Sequence, residues 1–305
     1  MNQATRRQFI QTTGLAAGAL LAASHIPAAQ EKRHIASNAY SWHVFYAREN
    51  RDFNASLDEG LGDVAASGLD GFEPTIGSPE QIETLVPLLK KHNLEMRSIY
   101  VGSLLHEAAE APKSIEGILT IAKAAKAAGV RIVVTNPNPL AWGAKEGKSD
   151  AQLQVQARAM NALGKGLKEM GLTLSYHNHD MELLFAAREF HHMMVGTDPE
   201  LVTLCLDSHW IYRGSGNSAV ALMDVIQLYG DRVSELHLRQ SHGGVWSETL
   251  GEGDLDYPAV AAALKAKGVS PHLVMEIAVE TGTPKTLNPV EAHRQSADYA
   301  HQVFG

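Results

Sequence analysis

The chain has 305 residues, 45% of them hydrophobic, with a formal net charge of −8 and one cysteine. That length and composition bury a large core as one big domain or two small ones and exclude a disordered or membrane-embedded chain. The acidic balance leaves no basic footprint for nucleic acid, and Cys205 by itself forms no intrachain disulfide, so the fold must hold without staples.

The first segment in chain order stands apart from the fold. "TRRQFIQTTGLAAGALLAASHIPAAQ" joins the pair Arg6 and Arg7 to a short apolar run and to small residues near Ala28 and Ala29. This is the order of an export signal of the twin-arginine type, expected over residues 1–29 and cleaved. Its apolar run is shorter than the roughly 20 residues a spanning helix needs, so no stable membrane insertion is expected. Losing its two arginines lowers Lys+Arg from 26 to 24 against 34 acids, a net charge of −10. The mature protein is expected in the periplasm, and twin-arginine export of folded cargo suits a protein that acquires a metal beforehand.

From residue 34 onward, short apolar runs alternate with amphipathic stretches, with no Pro/Ser-rich linker. Strands are predicted at 34–42, 69–74, 94–102, 130–139, 172–180, 201–210, 233–240 and 271–280. Helical patterns lie between them, among them 78–93 with Ser78 placed to cap and 113–129 with Gly129 placed to stop. Further helices are expected at 150–171, 218–230, 256–268 and 288–305. Eight βα units imply parallel strands with right-handed crossovers and fit a single (β/α)8 TIM barrel over 34–305. A doubly wound sheet is the alternative, but no G-x-G-x-x-G follows any of these strands.

Barrel active sites lie at the carboxyl ends of the strands, and alternation decides which side chains reach that point. Leu172, Leu174 and Tyr176 facing the helices leave Thr173, Ser175, His177 and His179 inward. Leu204 and Leu206 outward leave Thr203, Cys205 and Asp207 inward. Leu236 and Leu238 outward leave Glu235, His237 and Arg239 inward, and Leu273, Met275 and Ile277 outward leave Val274 and Glu276 inward. Each residue alone has an ordinary explanation: Asp207 as a turn cap, His237 as a core histidine, Glu276 as the partner of a lysine. Four consecutive strands that aim titratable groups at one point are better served by a shared divalent cation, which takes imidazole and oxygen ligands together.

The blocks "YHNHDME", "LCLDSHW", "ELHLRQ", "LGEGDLDYPAVAAAL" and "LVMEI" occur in order and resemble those of the xylose isomerase-like barrel superfamily, the sugar phosphate isomerases/epimerases, across essentially the whole mature chain. That superfamily includes ketose 3-epimerases, inosose dehydratase and an apurinic endonuclease. The resemblance implies one divalent ion, manganese first, with magnesium, cobalt or zinc as alternatives. It is held by a carboxylate after the fifth strand, then by Asp207, His237 and Glu276. The fifth-strand position departs from the epimerase pattern, because His177 stands where those enzymes have glutamate, and Glu182 could fold back to supply the carboxylate instead. A second departure is "HLRQS", where many relatives carry Lys-Asp two residues after the histidine.

The resemblance further implies a sugar isomerase or epimerase that abstracts a proton next to a carbonyl through a metal-stabilised enediolate. Glu276 would be ligand and base, and His177 or His179 would return a proton or protonate a departing oxygen. If histidine replaces one of two opposed carboxylates, elimination from a keto-sugar or keto-glycoside becomes the alternative, and a non-catalytic sugar-binding barrel is the rival of another class. Glu73, Tyr40, His43, Asn136 and Asn138 are further candidates at strand ends for hydroxyl groups. Trp210 is a candidate to stack on a sugar ring and Arg213 to bind an anionic group, although an exported enzyme seldom meets sugar phosphates. His191 and His192 are expected on a helix surface, and "GEGD" lacks P-loop spacing. The partner is thus a small sugar or keto-sugar, and self-association into a homo-oligomer stays open.

Overall fold

The computed structural model describes residues 33–305; the expected leader at 1–29 lies outside the described residues. In chain order the strands are β1 (Ile35–Asn38), β2 (Gly71–Glu73), β3 (Ser98–Tyr100), β4 (Ile132–Thr135), β5 (Thr173–His177), β6 (Val202–Asp207) and β7 (Val233–Leu238). A small antiparallel hairpin, β8 (Ser241–His242) with β9 (Val245–Trp246), precedes β10 (His272–Met275). The helices are α1 (Ala39–Arg48), α2 (Leu57–Ala66), α3 (Pro79–Lys91), α4 (Ala111–Ala127) and α5 (Asp150–Glu169). They continue with α6 (Leu184–Gly196), α7 (Ser208–Gly214), α8 (Ala219–Tyr229), α9 (Tyr257–Ala266) and α10 (Pro289–Phe304).

Parallel pairing runs in the order β2-β1-β10-β7-β6-β5-β4-β3. The two ends of that order meet, because Phe72 N donates to Glu95 O, Ile76 N to Tyr100 O and Tyr100 N to Pro74 O, each at 2.9 Å. The result is the expected (β/α)8 barrel, with β10 as its eighth stave. The outward-facing side chains of alternating parity are buried against the helices: Leu174, Tyr176, Leu204, Leu206, Leu236, Leu238, Leu273 and Met275 are at most 1% exposed. Tyr176 packs on Phe190 of α6 with ring centroids 6.3 Å apart.

The strands end sooner than their apolar runs suggest, and for β1 and β6 the early stop has a local cause. After Asn38 the chain turns at once into α1, because the Asn38 side chain accepts from Ser41 N at 3.2 Å and caps the helix. Asp207 ends β6 in the same way: its Oδ1 accepts from Trp210 N at 2.8 Å and opens α7. Ser78 does precede α3, with Gln81 Oε1 accepting from Gly77 N at 2.6 Å and Ser78 N at 3.3 Å, and Gly129 leaves α4 at φ +100°. At Ser234 the β6–β7 pairing steps from Leu204↔Val233 to Cys205↔Glu235. That bulge lets Ser234 meet Ser175 at 2.8 Å and Thr203 at 2.6 Å inside the barrel while Glu235 also points inward.

The loop after β4 is held at its base. Lys148, 2% exposed, donates to Pro137 O at 3.2 Å and to Glu189 at 2.6 Å, and Arg188 donates to Lys148 O. Phe185, Ala186 and Ala187 adopt left-handed φ values of 54°, 59° and 57°, a conformation that costs roughly 1–2 kcal/mol per residue. The turn presses the Phe185 ring so close to Gly147 that an added Cβ there would lie 2.8 Å from it.

Candidate metal centre and active site

Four donors from adjacent staves converge at the carboxyl end of the barrel. One ligand atom each from His177, Asp207, His237 and Glu276 lie within 4.8 Å of one another, and all four residues are buried. The pairing register places them: Asp207 sits opposite His237, and His237 opposite Val274, two residues before Glu276. His237 Nδ1 is 2.6 Å from Glu276 Oε2 and 3.1 Å from His177 Nε2, and His177 Nε2 is 3.8 Å from Asp207 Oδ2.

The surroundings lock this geometry. Behind His237, its Nε2 lies 2.9 Å from Glu235 Oε1 and 3.4 Å from Glu73 Oε1, and Ser98 Oγ donates to Glu73 Oε2 at 2.6 Å. In front, Asn38 Nδ2 donates to Glu276 Oε2 at 2.6 Å, while Arg239 donates to Glu276 Oε1 through its guanidinium and to Glu276 O through Nε at 2.7 Å. Arg239 is wholly buried, its guanidinium 4.4 Å from the Trp246 ring centre and 5.0 Å from that of Trp210.

Charge states follow from this packing. Burial pushes the Asp207 carboxyl up, against the pull of Arg239. Burial also opposes the Glu276 carboxylate, but Arg239, His177 and His237 outweigh it and hold Glu276 well below the usual range. Burial and the neighbouring Glu73 push Glu235 up to about 8. Burial drives His179 well below the ordinary imidazole value, helped by His177.

The residues present fit a divalent ion. Asp207 Oδ2 is buried and accepts no hydrogen bond among the described residues, which is costly unless a cation meets it. Two imidazoles and two carboxylates suit a first-row divalent metal, and the Glu235 carboxylate behind His237 is the outer contact that orients an imidazole ligand. His177 and Glu276 open onto a cavity of about 390 Å³ also lined by Asn38, Tyr40, Thr75, Tyr100, Trp142, His179 and Trp210. No lysine or arginine is among these lining residues.

Several sequence expectations are corrected. Glu182 does not join the donors: it sits on a short turn at Met181–Leu183, where its carboxylate accepts from Asn136 Nδ2 at 2.9 Å and His179 N at 2.7 Å, while His177 is the fifth-strand residue that lies with Asp207, His237 and Glu276. Glu73 is completely buried beneath His237 rather than facing the cavity. His43 falls on α1 and lines a neighbouring cavity instead. Arg213 is committed to Glu280 at 2.8 and 3.0 Å and to Gly244 O at 2.7 Å, and is not among the cavity-lining residues. Asn136 supports the loop from within, donating also to His177 O at 3.2 Å. His179 and Trp210 do face the cavity, as does Tyr40 from α1. Asn38, Tyr100, Trp142 and the grip of Arg239 on Glu276 escaped the sequence reading; only Arg239 gave a signal, as an inward position two residues beyond His237.

A barrel with such a centre defines a class, and comparison with known proteins places the chain within it. The signature of the xylose isomerase-like TIM barrel matches residues 61–302, and the chain belongs to that family. Among curated proteins it is similar to inosose dehydratase of Mesomycoplasma hyopneumoniae, 23% identical over 273 residues that cover 82% of this chain and 89% of the relative. A second inosose dehydratase, from Salmonella agona, is 27% identical over 175 residues, 51% of this chain and 56% of the relative. Among solved structures, a sugar phosphate isomerase/epimerase from Parabacteroides distasonis superposes with a TM-score of 0.69 at 19% identity, covering 90% of this chain and 95% of the other. The 3-keto-D-glucoside 4-epimerase of E. coli superposes with a TM-score of 0.66 at 16% identity, covering 89% and 100%. At these identities the structures share the fold.

Proposed function

We propose that the chain is a divalent-metal-dependent sugar isomerase or epimerase that removes a proton next to the carbonyl of an uncharged sugar. The observation that carries this reading is the buried set His177, Asp207, His237 and Glu276 opening through two of its members onto a cavity of sugar size. Those four residues would hold the ion, manganese being the first candidate, and the ion would supply Lewis-acid stabilisation of charge developing on the sugar oxygens. Glu276, kept ionised by Arg239, is the proton acceptor. His179, a neutral imidazole at the cavity wall, can accept a proton or hydrogen-bond a sugar oxygen from another direction. Trp210 and Trp142 offer ring faces for the sugar, and the lack of a lining cation argues against a phosphorylated substrate. Export directed by the segment that carries Arg6 and Arg7 would bring the protein to free sugars in the periplasm.

Elimination is a second reading, favoured by one feature. With Glu182 held away by Asn136 and His179 N, the fifth strand brings no carboxylate to act as the opposed base of an epimerase, whereas elimination needs only Glu276 as base, with His179 at the cavity wall hydrogen-bonding the departing oxygen that takes up the abstracted proton. Proton NMR in deuterated water with the manganese-loaded protein and a panel of hexoses and 3-keto-glycosides tests both. Deuterium entering one carbon is expected, and the product separates epimer from unsaturated sugar. No exchange and no product across the panel would overturn the enzymatic reading in favour of a binding protein.

A further inference from the structure

We propose that a second cavity beside the first is a subsite for the second ring of a glycoside, so that the substrate spans both. This inference rests on the sugar-directed reading above and goes beyond it in naming a two-ring substrate.

The second cavity, of about 540 Å³, shares Thr75 with the first. Neighbouring residues of two segments face opposite ways: Asn38 and Tyr40 line the first cavity while Ala39 lines the second, and Pro74 lines the second while Thr75 lines both. Thr75 is exposed and forms the saddle between them. Its place is fixed by the strand-end bonds of Pro74 and Ile76 to Tyr100, so the residue that the two cavities share belongs to the barrel rim.

The lining has the character that a pyranose requires. Phe53, Phe72, Ile76 and Leu85 make a buried apolar floor, each at most 4% exposed. His43, Asn54, Gln81 and Thr84 bring exposed polar groups to its edge. An apolar base for a C–H face with polar groups around it is the mixed lining of a ligand pocket, and each cavity alone is of single-ligand size. No lysine or arginine lines either cavity and Glu80 is the charged residue at the edge of the second, so the extension is not an anionic group. His43, unexplained by the metal centre, finds its use here.

Calorimetric titration of the manganese-loaded full-length protein with methyl 3-keto-glucoside, 3-keto-cellobiose and 3-keto-maltose tests this. Thr84→Trp, on the exposed side of α3, fills the second cavity without touching the first. At least one disaccharide is expected to bind about tenfold more tightly than the methyl glycoside, and the variant is expected to remove that advantage while leaving the methyl glycoside unchanged. Equal binding of all three, a disaccharide advantage that survives Thr84→Trp, or an equal loss for all three would overturn the proposal. Failure of the catalytic reading would show separately, as absence of deuterium exchange with binding intact.

Discussion

His237 and Glu276 face each other from neighbouring staves with Nδ1 and Oε2 only 2.6 Å apart, while the far side of the same imidazole rests 2.9 Å from Glu235. The ring is therefore held between two carboxylates, one that opens to the cavity and one that does not. A cation at Nδ1 would meet an imidazole already oriented from behind.

Glu276 is also hydrogen-bonded by Asn38 and Arg239, and Glu276→Gln keeps the shape and most hydrogen-bonding capacity while removing the charge. Turnover is expected to fall by about 10²–10⁴-fold, the usual contribution of a positioned acid or base, with sugar binding retained. Steady-state kinetics beside calorimetry would check it; retained turnover would remove Glu276 from the chemistry.

Arg239→Met leaves the Glu276 carboxylate buried without its cation. Breaking one side of a buried ion pair costs about 3–5 kcal/mol, and a domain of this size loses roughly 2–4 °C of Tm per kcal/mol. A large drop in melting temperature is expected by differential scanning calorimetry. Arg213→Met, which breaks the partly exposed pair with Glu280, is expected to cost much less.

How much of this could be read from the chain follows from where each residue's partner lies. The inward set on β5, β6, β7 and β10 was legible because strict alternation fixes parity once the leucines are placed. His43 was misplaced, and Tyr40 reaches the cavity from α1 rather than from a strand end, because the Asn38 cap ends β1 four residues before the apolar run does and nothing local separates a strand tip from a first helical turn. Arg213 looked free because its partner Glu280 is 67 positions away in sequence. Glu182 could not be separated from His177 without the contact to Asn136, 46 positions away. Arg239, though correctly turned inward, revealed its grip on Glu276 only once β7 and β10 were side by side.

The contrast between His177 and Glu182 yields a direct test. His177→Ala is expected to weaken manganese binding by more than the roughly 10–100-fold typical of losing an outer contact. Glu182→Gln is expected to stay within that range, since its carboxylate serves the loop. Manganese titration followed by electron paramagnetic resonance separates them; the reverse order would return Glu182 to the metal.

Buried neutral histidines give the fold an acid limit. His293 is wholly buried, stacked on Trp42 at 3.9 Å between ring centres, and burial lowers its pKa from 6.5 to about 3. The unfolded chain binds this proton below about pH 6.5 and the folded one does not, so stability is full above that value and declines as pH falls from 6.5 toward 3. The slope is up to about 1.4 kcal/mol per pH unit for this group. Denaturant unfolding between pH 7 and 4 is expected to show a shallower acid decline in His293→Phe than in the parent; an unchanged slope would mean that His293 charges within the fold.

The donor cluster itself is tested most directly by counting metal. Inductively coupled plasma mass spectrometry of the purified protein after manganese loading and gel filtration should give one ion per chain, falling to near zero in Asp207→Ala. No retained ion in the parent, or the same content in the variant, would contradict a metal centre built from His177, Asp207, His237 and Glu276.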